Sequence, residues 1–230
     1  RAYAHFCAPN WPHDGSHVHA QCTQALSKLP SWISALTQNQ TVEDWLKAVS
    51  SRQPTPGGGS VAAHIGANAT ALFAMVTRFS RNPPFGPTFA DALDQHTARF
   101  LALGADDAAG YQQLKKTLKQ AKTQTINQAD LDAGYIAAAD APMRIYELTA
   151  LVARQLIAVY PNTNPNLASD TQMAVLLLEA TFASALLNIR INLKYCQNSA
   201  LTNAIEARIQ AHRQTRQTLQ TLAPAEPEPR

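Results

Sequence analysis

Pro54-Thr55-Pro56-Gly57-Gly58-Gly59-Ser60-Val61-Ala62-Ala63-His64-Ile65-Gly66-Ala67 is the stretch from which the rest of this chain is read. Its prolines hold the first residues extended or turned, and its three glycines open backbone conformations closed to other residues. From Ser60 onward the spacing becomes helical, with Val61, Ile65, Leu72, Val76 and Phe79 on or near one face. Gly59, Ala63, Ala67 and Ala71 recur four residues apart. Such a stripe of small side chains lets a neighbouring backbone come close. A glycine run opening a helix also leaves N–H groups free for a negative or carbonyl-rich group. The competing reading is a plain connector ahead of a packed helix, because the run fits neither a dinucleotide nor a P-loop pattern.

Outward from that stretch, composition sets the class. The chain has 230 residues, 46% of them hydrophobic and 15% charged, enough for one sizeable core. Aromatic residues make up 7% and alanine is abundant, which favours closely packed helices over a sheet. A net charge of +3 with no aromatic-interleaved basic patch gives no case for nucleic acid. Cys7, Cys22 and Cys196 form no CxxC pair and leave one over, so a reducing, cytoplasmic setting is expected. The longest apolar helix carries Glu179 and Arg190, which reads as protein core and not as a membrane span.

Helical spacing continues along the chain. Thr41-Val42-Glu43-Asp44 opens a first helix with acids in its first turn and Trp45, Leu46 and Val49 facing inward. The glycine stretch leads into the second, which ends near Ser80. Asn82-Pro83-Pro84-Phe85-Gly86-Pro87 is a loop. A third helix is expected over about 88–122 and a fourth, capped by Asn127 and interrupted or kinked at Pro142, over about 128–160. Ser169 and Gln172 suggest a capping box for the fifth helix, apolar nearly all round and therefore central. A more polar sixth begins at Ser199 and ends by Ala223. The expectation is an all-α, six-helix bundle with a central buried helix. Residues 1–40 form an unassigned extension, 41–223 the helical domain, and 224–230 a disordered tail. Gln21 to Leu29 reads as one short helix within the extension. Cys7, His13, His17, His19 and Cys22 in the extension match no zinc spacing, and no metal site is expected.

Polar residues on apolar helices mark the candidate site. Glu179, Asn188, Arg190 and Asn192 need partners on a buried fifth helix, and Asn188 and Asn192 share a face. Helix–helix hydrogen bonding is the ordinary explanation, and a pocket lining the other. Asp170 at the helix start either complements the dipole or joins that lining. Asp106-Asp107 sits between Leu101-Ala102-Leu103-Gly104-Ala105 and Ala108-Ala109-Gly110-Tyr111. One of the two acids must turn towards the apolar side, where burial raises its pKa towards a range useful for proton transfer.

Thr41-Val42-Glu43-Asp44-Trp45-Leu46, the Pro54 to Ala63 stretch, Asp107-Ala108, Ala141-Pro142-Met143-Arg144, Asn166-Leu167-Ala168-Ser169-Asp170 and Asn188-Ile189-Arg190-Ile191-Asn192-Leu193 follow one another in an informative order. Over about 41–222 the chain resembles the formiminotetrahydrofolate cyclodeaminase and methenyltetrahydrofolate cyclohydrolase family. The resemblance implies an all-helical homodimer acting on a one-carbon unit carried by tetrahydrofolate, with no cofactor beyond that carrier substrate and no nucleic-acid or membrane partner. It implies Asp107 as the catalytic acid/base, with Pro56, Gly57, Gly58, Gly59, Ser60, Asp170, Asn188 and Asn192 binding substrate. Two departures stand against it. Ala105 occupies a position where the family commonly has an acid, and Phe79-Ser80-Arg81-Asn82 replaces a glycine and a basic pair. A catalytically silent member that binds folate or scaffolds is the alternative.

Overall fold

The structure, a computed structural model, describes residues 40–80, 85–123 and 126–223. The expected extension, its short helix, the Asn82-Pro83-Pro84 part of the loop and the tail lie outside the described residues. The chain divides into two compact units, residues 1–44 and 45–230.

Every described element is helical. They are α1 (Val42–Ser50), α2 (Gly58–Arg78), α3 (Pro87–Thr123), α4 (Gln128–Val159), α5 (Ala168–Leu193), α6 (Ser199–Gln210) and α7 (Arg213–Thr221). Two 3-10 turns, Tyr160–Asn162 and Pro165–Leu167, join α4 to α5. The all-α bundle is as the sequence predicts, with the sixth helix divided in two at Ala211-His212.

Local chemistry accounts for several helix starts, those of α1 and α4 among them. Thr41 Oγ1 accepts from the Asp44 N–H at 3.1 Å and donates to its carboxylate at 2.7 Å. Asn127 caps α4 by accepting from the Asp130 N–H at 2.8 Å. The expected capping box at Ser169 does not form. The preceding 3-10 turn runs straight into α5, so the helix begins at Ala168 after Leu167, which makes no side-chain cap. Leu46 is a second correction: it is 54% exposed, and only Trp45, Ala48 and Val49 of α1 are half-buried.

Successive long helices run antiparallel. Gly59 of α2 faces Asp107 of α3, Gly66 faces Phe100, and Phe73 meets Phe89 edge to face. Across α3 and α4, Asp106 meets Arg144 and Gly134 meets Leu114. Tyr146 of α4 packs on Phe182 of α5 at 4.9 Å between ring centres. Tyr146, Phe73, Phe100, Phe182, Leu156 and Leu178 fill the centre.

The inward face of α2 is not the large-residue face expected from spacing. Ala62, Ala63, Gly66, Ala67, Thr70, Phe73, Ala74, Val76 and Thr77 are buried; of the expected set only Val76 is among them, whereas Val61, Ile65 and Leu72 are half-exposed and Phe79 is exposed. Three helices crowd α2, and apart from Phe73 and Val76 its buried side chains are small, which leaves room for them. At Gly66 a β-carbon would lie 2.6 Å from the Phe100 ring, which is fully buried and has no space to retreat. Gly66→Ala gains up to about 1 kcal/mol of helix propensity. Overpacking typically costs ~1–3 kcal/mol. We expect net destabilisation, read as a lower thermal midpoint; an unchanged or raised midpoint would contradict this packing.

Pro142 sits inside an unbroken α4. Its missing N–H frees the carbonyl of Ala138, four residues earlier. Asn192 of α5 donates to that carbonyl at 3.3 Å. The proline is tolerated because a neighbouring helix supplies the lost donor.

Helix α5 packs on both α2 and α4. Its apolar surface nevertheless exceeds what they cover. Met173, Leu176, Leu187 and Ile191, on one outward face, are between 47% and 70% exposed. By length and composition Gly58–Arg78 and Pro165–Leu193 could each cross a membrane, a test that core helices also pass.

Candidate functional site

At the start of α2 the glycines serve proximity, not unusual dihedrals: no described glycine has a positive φ. Gly57 is the N-cap, and Gly58, Gly59 and Ser60 are already helical. A β-carbon on Gly59 would overlap the Asp107 carboxylate, and one on Gly58 would touch the Asn188 side chain at 3.4 Å. Glycine here makes room for two polar side chains from α3 and α5. Pro56, joined to Thr55 by a cis peptide bond, leads into this corner.

Asp107 is the acid of the pair that turns inward. Asp106 stays on the surface and accepts from Arg144 at 3.0 Å. Ser60 Oγ donates to the Gly104 carbonyl at 2.8 Å and lies 3.5 Å from Asp107 Oδ2. The Ser60 N–H also bonds the carboxylate. Asp107 therefore covers the open N-terminus of α2, whose own N-cap offers no side-chain acceptor. Those bonds alone would depress its pKa. Burial outweighs them and pushes the carboxyl from 3.8 up to about 6. An acid serving only as a cap gains nothing from that environment. One that exchanges protons near neutrality does.

The asparagines divide. Asn188 Nδ2 donates to the Ser184 carbonyl at 2.8 Å, and its side chain lies against Gly58. Asn192 Nδ2 is occupied by the Ala138 and Asn188 carbonyls. Its main work is to hold α5 on the proline-interrupted α4. An open cavity of about 480 Å³ is lined by Leu187, Asn188, Arg190, Ile191 and Lys194. Glu179, whose partner the sequence left open, is held by Arg216 and Gln220 of α7.

Asp170 is not part of this cluster within one chain. It stands 18 positions before Asn188 on the same helix, about 27 Å along the axis. Arg78 is likewise at the far end of α2 from Gly59. It is engaged by Asp94 at 2.5 Å, with Asp91 at 3.9 Å. Arg81 lies outside the described residues. Two neighbours of the site were not assigned to it from the sequence. Trp45 stacks on His64 with ring centres 4.0 Å apart, and His64 Nδ1 meets the Ser60 carbonyl at 2.9 Å. That contact puts the Nδ1 proton on the histidine as donor. A histidine one turn beyond Ser60 was the only signal for either contact. No cluster among the described residues has the makings of a metal site.

Among solved structures, the crystal structure of formiminotetrahydrofolate cyclodeaminase from Thermotoga maritima matches with a TM-score of 0.71 and 23% identity. The match covers 80% of this chain and 96% of that one. Likeness at this identity establishes the fold alone. No curated protein matches the chain. The family Formiminotransferase-cyclodeaminase matches residues 41–211, beginning at the same threonine as the resemblance read from the sequence. A match over most of the chain shows the family, and this chain belongs to it.

Proposed function

We propose that the chain is a folate one-carbon enzyme that acts on formimino- or methenyl-tetrahydrofolate, with Asp107 as its proton-transferring group. The observation that carries this reading is the part-buried carboxyl with a pKa raised to about 6, pressed against the Gly59 backbone. In the cyclodeaminase reaction, N10 attacks the formimino carbon on N5, the five-membered ring closes and ammonia leaves. The proton lost by N10 must reach the departing nitrogen. Near pH 7 Asp107 is mostly ionised, so it accepts the first proton and, near its own pKa, returns it readily. In the cyclohydrolase reaction the same carboxylate removes a proton from water as it adds to the methenyl carbon. Asn188 and the Gly57-Gly58-Gly59-Ser60 backbone border the reacting end. Arg190 and Lys194, lining the adjacent cavity, suit the glutamate carboxylates of a folate.

The reading includes a homodimer through the outward faces of α2 and α5. Four large side chains of α5 are about half or more exposed, and Val61, Ile65 and Leu72 of α2 are only partly covered. That apolar surface adjoins the cavity beside Asn188. A two-fold partner covering it would bring its own Asp170 end towards this chain's glycine corner. Cytoplasmic location follows from the proposed substrate.

The deciding experiment is an absorbance assay for methenyltetrahydrofolate, run in parallel on formimino- and methenyl-tetrahydrofolate. Signal gained with the first identifies a cyclodeaminase, and signal lost with the second a cyclohydrolase. Neither change, with folate still bound, would favour the silent member. That second reading is supported by Ala105 and by the engagement of Arg78 with Asp94.

A further inference from the structure

Residues of α3 and α4 meet the junction of α6 and α7 around a cavity of about 300 Å³. Arg99 of α3, Arg144, Glu147 and Arg154 of α4, and His212 line it. Most nearby carboxylates are already used. Glu147 is held by Arg208 through two hydrogen bonds of 2.9 and 3.0 Å. Asp106 and Asp140 offset Arg144. Arg99 and Arg154 have no carboxylate partner among the described residues.

His212 adds a neutral donor. Arg154 is an obligate donor and lies 3.4 Å from His212 Nδ1, so that nitrogen accepts and the proton resides on Nε2. Burial and the adjacent Arg154 lower the pKa of this imidazole, Glu147 and Arg208 acting in opposite senses. Leu148 and Leu151 give the cavity an apolar floor.

We propose that this cavity binds a phosphate group, as the free ion or as the head of a small phosphate monoester. Guanidinium groups from two helices, with an imidazole N–H from a third element, suit an oxyanion whose oxygens point in several directions. A single flat carboxylate would satisfy fewer of them. Space over Leu148 and Leu151 fits the carbon portion of an ester. The site uses none of the residues assigned to folate and does not depend on the folate reading.

The test is calorimetric titration of the full chain with inorganic phosphate and with glycerol 3-phosphate, at constant ionic strength. One saturable site per chain is expected for both, weakened about tenfold or more in Arg99→Gln and in Arg154→Gln. Tighter binding of the ester assigns the site to monoesters; equal affinity assigns it to free phosphate. Absence of saturation, or equal binding by wild type and both variants, would overturn the proposal. Thermal melts check that the variants fold. The His212 ring resonances of the wild-type protein give a reading independent of any variant: they must shift saturably with phosphate, and constant positions would overturn it.

Discussion

Asp107→Asn is expected to lower turnover by ~10²–10⁴-fold while making the protein more resistant to heat near neutral pH. Both effects come from one part-buried carboxyl. Its pKa is 3.8 in the unfolded chain and about 6 in the folded one. The native state thus favours the protonated form. The stability this contributes is complete below about pH 4 and is lost as pH rises through about 6. Asparagine keeps the oxygen that accepts from Ser60 but cannot ionise, so it escapes the loss. At roughly 1.4 kcal/mol per pKa unit, its advantage near neutrality is about 3 kcal/mol. Paired melts should show the gap open at about pH 7.5 and closed at about pH 3.5. In the active wild type, kcat/KM should rise with pH through about 6, since the ionised carboxylate starts the reaction. Asp106→Asn is the control. It breaks an exposed pair with Arg144, worth about 0–1 kcal/mol, and should change neither turnover nor the pH response. If Asp107→Asn kept full turnover and melted like wild type at both pH values, the carboxyl would be only a cap for α2.

The long elements were legible because each announces itself locally. Helical spacing, the Asn127 cap and the glycine run needed no knowledge of neighbours. What the sequence could not supply was which face of α2 turns inward. Hydrophobicity favoured Val61, Ile65 and Leu72, whereas crowding by three helices selected Gly59, Ala63 and Gly66. Steric room is a property of the assembled bundle, so no single-helix pattern contains it. Asn192 shows the same limit from the polar side. On its own helix it looks like a pocket amide, but its partner is the carbonyl left free by Pro142, more than forty positions away. Asp107 was legible as one of two acids on an apolar helix. That its carboxylate meets the start of α2 depends on how α3 crosses it.

Mixing Asp107→Asn and Asp170→Asn chains should restore activity that neither variant has alone. Within one chain the two acids belong to opposite ends of the bundle: Asp107 packs at the start of α2, beside Asn188, while Asp170 lies about 27 Å down α5. The exposed stripe on α5 runs between those ends, from Met173 near Asp170 to Ile191 near Asn188. A two-fold axis across the middle of that stripe sets the helices antiparallel and brings each chain's Asp170 towards its partner's Asp107. In a mixed dimer both substitutions then fall in one site, and the other site is wholly wild type. Random reassociation makes half the dimers mixed, each with one working site, so roughly a quarter of wild-type activity returns. An Asp170→Asn protein that is fully active by itself would remove Asp170 from the site. Two inactive variants that stay inactive when mixed, although sedimentation finds them exchanging as dimers, would place both acids in the same chain's site. Leu187→Glu with Ile191→Glu supplies the matching loss. Two charges on the apolar face should give a monomer by sedimentation and abolish the rescue, whereas an intact dimer would show that another surface holds the chains together.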